Sequence, residues 1–324
     1  MVKKLIFLWM VVLALVFCAG PAWAGTLKGH WKLDTDPNMD PPPTDPNVLL
    51  MAVDELGLNH GRLINDPNWI PGVTDGTFAL YFDGTNYVDM GYYPHEPNTP
   101  DLNMGTGDLS ITAWVKFGTL AANGVVAGKG CLADDSGYGL IMLTTGQACF
   151  QARTKTAYRE VYSNDTGGNW VGFVNDEQWH HVVGILEREQ VNGARIYVDG
   201  VLQSCINSVA DTTGWTHDIS SDTARFCVGA RHSDNMIPSQ VIYWNFDGSV
   251  DDVQVYDYAL TQENIDFLYA NPGVPITVPT CGAWGYLPMD FDRNCYVDLA
   301  DFAAFAGDWM KCTDPGDPTC SPAN

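Results

Sequence analysis

Short runs in which apolar and polar residues alternate dominate the chain from residue 26 to about 270. They are separated by clusters of Gly, Asn and Asp. Runs at 79–83, 109–117, 180–186, 194–198 and 250–256 have the two-residue period of strands with one face buried, which predicts antiparallel strands joined by turns. Asp199-Gly200 separates two such runs and has the left-handed backbone tolerance that a tight type I′ hairpin needs. One segment follows a helical period instead. Thr261 is placed to cap a helix over 262–269, with Ile265, Leu268 and Tyr269 on one face and Asn271-Pro272-Gly273 as its stop. The stretch 36–47, with Pro41-Pro42-Pro43, reads as an exposed loop. The proline-spaced stretch 272–280 reads as a linker.

The first residues follow a different pattern. Lys3 and Lys4 precede an apolar run from Leu5 to Phe17, and Ala22-Trp23-Ala24 stands before a polar sequence. This is the order of a secretory signal peptide over 1–24, with cleavage after Ala24. The run is too short to cross a hydrocarbon core, which takes about 20 residues. Cys18 follows the bulky Phe17, which speaks against a lipid anchor. The expected location is therefore outside the cell or on its surface, with no membrane span.

Composition supports this picture and narrows it. The formal charge is −23, and loss of Lys3 and Lys4 with the leader makes it more negative. Such a surface repels nucleic acid and anionic lipid. The acids are mostly Asp, a bias toward turns and oxygen-ligand calcium sites. Of the nine cysteines, Cys18 leaves with the leader. The rest fall into two groups, Cys131, Cys149, Cys205 and Cys227, then Cys281, Cys295, Cys312 and Cys320. In an oxidising compartment each group is expected to close on itself. Cys131–Cys149 and Cys205–Cys227 are the preferred pairs of the first group. Two bridges are expected among the second, with their connectivity open.

Few residues carry a catalytic pattern. Glu187 and Glu189 form the nearest local acid pair, but Gln190-Val191-Asn192-Gly193 marks their segment as a hairpin turn. His180 and His181 are consecutive on a strand, face opposite sides and cannot chelate one ion together. No serine elbow, zinc motif or phosphate loop is present in the sequence. Calcium is expected in the β region at Asp34, Asp251 and Asp252, where the two ends of the domain meet. Trp215 and Trp244 are candidate stacking platforms for a glycan, with Arg231 and His232 to bind its hydroxyls or acidic groups.

Five stretches carry a resemblance in their order and spacing. They are Phe78-Ala79-Leu80-Tyr81-Phe82-Asp83-Gly84, Leu109-Ser110-Ile111-Thr112-Ala113-Trp114-Val115, Trp179-His180-His181-Val182-Val183, Ile196-Tyr197-Val198-Asp199-Gly200, and the run from Phe246 through Asp251-Asp252 to Tyr256. Together they resemble the LamG-like jellyroll family of the concanavalin A-like lectin and glucanase superfamily over 25–271. The resemblance implies a mainly β fold, a two-sheet antiparallel jellyroll sandwich, used mostly to bind carbohydrate or protein. The glucanases of that superfamily use Glu-x-Asp-x-x-Glu on one strand, and this motif is absent from the sequence.

Residues 281–324 read differently. Asp290, Asp292, Asn294, Asp298 and Asp301 occupy positions 1, 3, 5, 9 and 12 of a calcium loop, with the Tyr296 carbonyl at position 7. Leu299, Phe302, Phe305, Ala306 and Trp309 give the following segment an apolar helical face. The unit resembles a single dockerin repeat, a small calcium-loop and helix module, and this implies a cohesin-like receptor as partner. Cys295 stands at position 6, where glycine would make the sharp turn, and the usual second repeat is missing. The expectation is a secreted, non-catalytic binding protein with calcium as cofactor and a glycan or extracellular protein as partner. A secreted glycan-active hydrolase with an unrecognised site and a structural protein of surface assembly stay open as alternatives.

Overall fold

The computed structural model describes residues 25–34, 51–90, 99–130, 136–163, 173–203, 209–232 and 242–276, and the single residues Met289, Val297 and Phe302. Gly25–Thr277 is one compact unit; Met1–Ala24 with Val278–Asn324 makes the other, nearly all of it outside the described residues. The expected signal peptide and calcium loop fall outside the described residues, apart from Val297 of the loop. Of the expected linker 272–280, residues 272–276 are described and belong to the first unit: Gly273 donates its N–H to Asp252 and buried Ile276 donates its own to Tyr256 Oη, so the domain extends past 271.

The first unit is mainly β, with two antiparallel sheets of eight strands each among the described residues. The first sheet runs β14 (Val201–Leu202), β13 (Ala194–Val198), β12 (His180–Leu186), β7 (Leu109–Lys116), β18 (Asp247–Tyr256), β5 (Phe78–Asp83) and β4 (Asn68–Pro71). β1 (Leu27–Trp31) also pairs with β18. The second sheet runs β11 (Tyr158–Tyr162), β10 (Ala148–Arg153), β9 (Gly137–Met142), β8 (Gly124–Gly130), β15 (Phe226–Val228), β6 (Tyr87–Asp89), β3 (Gly61–Ile64) and β2 (Met51–Ala52). A small ribbon joins β16 (Arg231–His232) to β17 (Ile242–Tyr243).

Alternation puts one row of each strand into the space between the sheets. From β7 this row is Leu109, Ile111, Ala113 and Val115, and from β10 it is Ala148, Phe150 and Ala152, all fully buried in the main core. Trp31 of the first sheet stacks on Phe226 of the second at 5.1 Å between ring centroids, which ties the layers together. The turn at Asp199-Gly200 has positive φ at both residues, 50° and 79°, as a type I′ hairpin requires. Pro71 ends β4 at the outer edge of its sheet, where a missing N–H weakens pairing with another chain.

The pattern understates the burial of the first sheet. Ser110, Thr112 and Trp114 on the other face of β7 are buried as well, because α1 (Gln262–Ala270) and its flanks cover that face. Thr261 caps α1 in a reciprocal box with Asn264, at 3.3 and 3.2 Å. Ile265 and Leu268 pack on Val183, Ile185 and Tyr256. Tyr269, expected on the apolar face, is 41 % exposed, yet its ring stacks on Trp114 at 5.6 Å.

The two sheets approach closely where Gly184 of β12 faces β10. A Cβ there would stand 2.2 Å from the Phe150 ring. Gly184→Ala is expected to destabilise the domain by about 1–3 kcal/mol through overpacking. Urea denaturation should show a lower midpoint with an unchanged slope.

Candidate functional site

Trp244 follows β17 directly, and its exposure has a structural cause. Its carbonyl accepts from the Val125 N–H at 2.8 Å, while Phe246 donates its N–H to the Gly229 carbonyl at 2.8 Å and is fully buried. With the chain fixed on both sides, Trp244 takes a left-handed conformation, φ 51°, which costs about 1–2 kcal/mol for a residue with a Cβ. The kink leaves the indole 40 % exposed. The Arg231 guanidinium lies over the ring, 4.5 Å from its centroid, and Arg231 itself is only 1 % exposed. The result is an aromatic surface held in place from below by a cation.

Two of the four expected ligand residues are thus brought together. The other two are not available as surface groups. His232 is buried; its Nδ1 accepts the Arg225 N–H, and burial and the Arg225 charge lower its pKa to about 4. Trp215 is buried in the core, between the guanidinium groups of Arg188 at 4.4 Å and Arg159 at 4.9 Å. Arg188 also donates to the carbonyls of Gly105, Gly107, Trp215 and His217, so Trp215 closes a loop junction instead of presenting a platform.

Asp34, Asp251 and Asp252 do come close enough to repel one another. Asp252 lies in a β-bulge of β18 with φ 45°, so it shares the outer face of the sheet with Asp251. Its Oδ1 accepts from His30 Nε2 at 2.9 Å and Gln254 Nε2 at 2.8 Å, and its Oδ2 from the Gly273 N–H at 2.7 Å. Burial pushes the Asp252 carboxyl up, but these hydrogen bonds, that from His30 first, hold it below the usual range. Asp251 accepts the Val73 N–H at 2.9 Å, and the Asp252 N–H acts on it more weakly. Burial and its two acidic neighbours push it up to about 8. Asp34 accepts the Phe78 N–H at 2.9 Å.

The three aspartates therefore act as acceptors for the protein's own donors. Among the described residues, no group of three or more His, Cys, Asp or Glu side chains is arranged to hold a metal ion. The donor set present here does not fit a calcium cage. His30 was not among the residues singled out from the sequence; it lies 222 positions from Asp252, and no local spacing marks it.

The adjacent histidines take different roles. His180 Nδ1 meets Asp199 at 2.7 Å and its Nε2 meets Asp176 at 3.0 Å. These bonds, that to Asp199 first, raise its pKa. The stability they contribute is full below the ordinary histidine pKa and is lost as pH rises through the raised one. His181 is buried, its pKa lowered to about 4 by desolvation, and its ring packs beside those of Trp114 and Tyr269, 5.2 and 6.3 Å from their centroids. Glu187 pairs with Arg195 at 2.6 Å and Glu189 accepts the Gly214 N–H at 2.9 Å, both in the turn between β12 and β13.

Cys149 and Cys227 are buried on the outer face of the second sheet. Cys227 is a free thiol, raised well above its usual pKa by burial and then by Asp89. The expected partners, Cys131 and Cys205, lie outside the described residues, as do Cys281, Cys295, Cys312 and Cys320 with Asp290, Asp292, Asn294, Tyr296, Asp298 and Asp301.

A family model described as the concanavalin A-like lectin/glucanases superfamily, Laminin_G_3, matches residues 83–266. The chain belongs to this family. No curated protein matches the sequence. Among solved structures, the Laminin_G_3 chain is similar to domain 4 of AbnA, an extracellular arabinanase of Geobacillus stearothermophilus, in complex with arabinotriose. The identity there is 14 %, over 76 % of this chain and 99 % of that one, with a TM-score of 0.48. It is also similar to the binding domain of botulinum neurotoxin serotype D/C, with 14 % identity over 76 % of this chain and 52 % of that one and a TM-score of 0.46. The chain spans about half the length of the toxin domains it matches.

The two aspartates side by side make a test of their own. In the presence of chelator at pH 7, Asp251→Asn should raise the melting temperature, because the wild-type fold must hold a proton that the unfolded chain releases. The gap should narrow as pH falls from 8 and close below the ordinary aspartate value of 3.8, where the carboxyl is protonated in both states. A melting temperature lowered by the substitution at pH 7 would instead show that the Asp251 charge is used.

Proposed function

We propose that the Laminin_G_3 domain is a non-catalytic binding module of an exported protein, which takes a carbohydrate, or a protein surface, on the Trp244 face. The observation that carries this reading is the strained, exposed indole fixed over a buried Arg231. Such a surface is set before any ligand arrives, so binding need not order a loose side chain. A sugar ring stacks on the free face of the indole through its C–H groups.

On the outer face of the second sheet the placement of acids does not suit hydrolysis. Asp89 and Glu160 are the carboxylates of the described strands on that face. Asp89 pairs with Arg225 at 2.7 Å, and Glu160 bonds to Gln151. Their strands are five spacings apart in the sheet order, about 24 Å at about 4.8 Å each. Retaining hydrolysis needs about 5–5.5 Å.

Residues 1–24 serve as the export signal in this reading, and the tail at 281–324 as a dockerin-like attachment module. Asp290, Asp292, Asn294, Asp298 and Asp301 would hold calcium there, with the Tyr296 carbonyl. A cohesin-like receptor is the partner that such a loop implies.

On a glycan array with the mature chain, binding is expected without turnover. Trp244→Ala should weaken it at least about tenfold, the loss of one aromatic contact worth roughly 1.4 kcal/mol. Release of reducing sugar that one carboxylate substitution abolishes would overturn the reading in favour of an enzyme. For the tail, Asp290→Ala combined with Asp301→Ala should remove one bound calcium in calorimetry. An unchanged stoichiometry would show the loop to be empty.

A further inference from the structure

The hairpin of β10 and β11 stands out electrostatically in an acidic chain. Arg153, Lys155 and Arg159 fall within seven positions of a protein with 16 lysines and arginines against 39 acids. Arg153 and Tyr158 are directly opposed across the two strands, so they share the outer face. The Arg153 guanidinium lies 5.9 Å from the centre of the Tyr158 ring, and Tyr158 is 46 % exposed. The turn between them is closed by Thr154, whose N–H donates to the Ala157 carbonyl at 2.7 Å and whose Oγ1 accepts the Ala157 N–H at 3.1 Å. Lys155 sits exposed at its tip.

Among the described residues neither Arg153 nor Lys155 makes an ion pair, and Arg153 Nε has no hydrogen-bond partner. The nearby acids are otherwise engaged. Glu160 shares the outer face but bonds to Gln151, and Asp211 acts on Arg159, whose guanidinium is turned to the opposite face over Trp215. In a chain so rich in carboxylates, two unneutralised cations beside an exposed ring are a local exception.

We propose that this hairpin is a binding site for an acidic sugar, with Tyr158 as the stacking surface and Arg153 and Lys155 as the partners of its carboxylate or sulfate. The aromatic ring is what favours a sugar over an acidic peptide. A pyranose presents a C–H face to stack, and its charged substituent then lies at the ring edge, within reach of a guanidinium and an ammonium. The net charge of the chain opposes approach of a polyanion, so attraction is confined to the hairpin and must be screened readily by salt.

The site is separate from Trp244. Trp244 holds Val125 at the start of β8, the end of the sheet where Gly124 pairs with Met142 and Met142 with Ala148. Arg153 pairs with Gly137 at the other end. The strand rise and spacing put the two roughly 20 Å apart.

The test is calorimetry on the mature chain in chelator, with soluble oligogalacturonate as probe and neutral oligogalactan as control. Oligogalacturonate should bind and the neutral probe should not reproduce it. Arg153→Gln with Lys155→Gln, and Tyr158→Ala separately, should each weaken binding about tenfold or more. Raising salt toward about 1 M, where the screening length falls to about 3 Å, should weaken the wild type. Lys32→Gln, which removes a cation paired with Glu55 at 3.4 Å and outside both sites, should leave it unchanged, so the loss is not one of net charge alone. The Trp244 reading is judged by the glycan array, and its failure does not touch this one. These positions lie at the surface end of a hairpin, and unaltered melting curves confirm folding of each variant. No oligogalacturonate binding by the wild type, or binding that survives both variants, would overturn the proposal. Equal binding of polyglutamate with indifference to Tyr158→Ala would replace it with an acidic-peptide surface.

Discussion

The bulge at Asp252 sets the terms for the rest of the sandwich. β18 must send Val250, Val253 and Val255 into the core, and a strict two-residue period cannot do that across 250 and 253. One extra residue in left-handed conformation restores the phase. The same step gathers Asp251, Asp252, Gln254 and Tyr256 on the outer face. A slip of one residue without the bulge would exchange the two faces. Buried polar groups need partners, and these find them in the chain that follows. Asp252 accepts the Gly273 N–H and Tyr256 receives that of Ile276. Ser110 from β7 accepts the N–H of Leu260 and donates to the carbonyl of Tyr258. Thus the polar row anchors the segment that carries α1 over the sheet.

What the sequence made legible was local. The Asp199-Gly200 turn and the Thr261 cap each depend on residues within a few positions, and both formed as expected. Strands β12 and β13 have the expected limits, and their pairing runs without a bulge. β18 begins at Asp247, three residues before the expected start, and the bulge that interrupts its period is not visible in the letters. The site was legible in part for the same reason. Trp244 and Trp215 look alike in sequence. One is pushed outward by a backbone fixed on both sides, and the other is covered by Arg159 of β11 and Arg188 of the β12–β13 turn. Asp34, Asp251 and Asp252 lie close enough to repel one another, and donors of the protein itself, on His30, Gln254, Gly273, Val73 and Phe78, meet four of their six oxygens.

Cations are scarce in this chain, and several are fixed on aromatic faces. Arg231 lies over Trp244, Arg159 and Arg188 enclose Trp215, and Arg153 lies over Tyr158. Each such contact is worth about 0.5–2 kcal/mol, more when water is excluded. Their structural effect is to restrict long side chains to one orientation. Where the ring is enclosed, as at Trp215, the contact stabilises the fold. Where one ring face is open, as at Trp244 and Tyr158, the same contact yields a surface of fixed shape. Burial of the ring, more than residue type, separates the two outcomes.

The pairing of β1 with β18 bears on the order in which the molecule can assemble. Thr26 is bonded to Asp257, 231 positions away, and His30 to Asp252. Loops of this length must close before the first strand gains a strand to pair with, so these contacts add heavily to contact order and slow the search for the native state. A chain emerging N-terminus first holds its opening strand unmatched until nearly the whole domain has appeared. During that interval Trp31 has no Phe226 to stack on and β1 has no strand to pair with. The interval is one of exposed apolar surface and open strand edge, the state in which aggregation competes with folding.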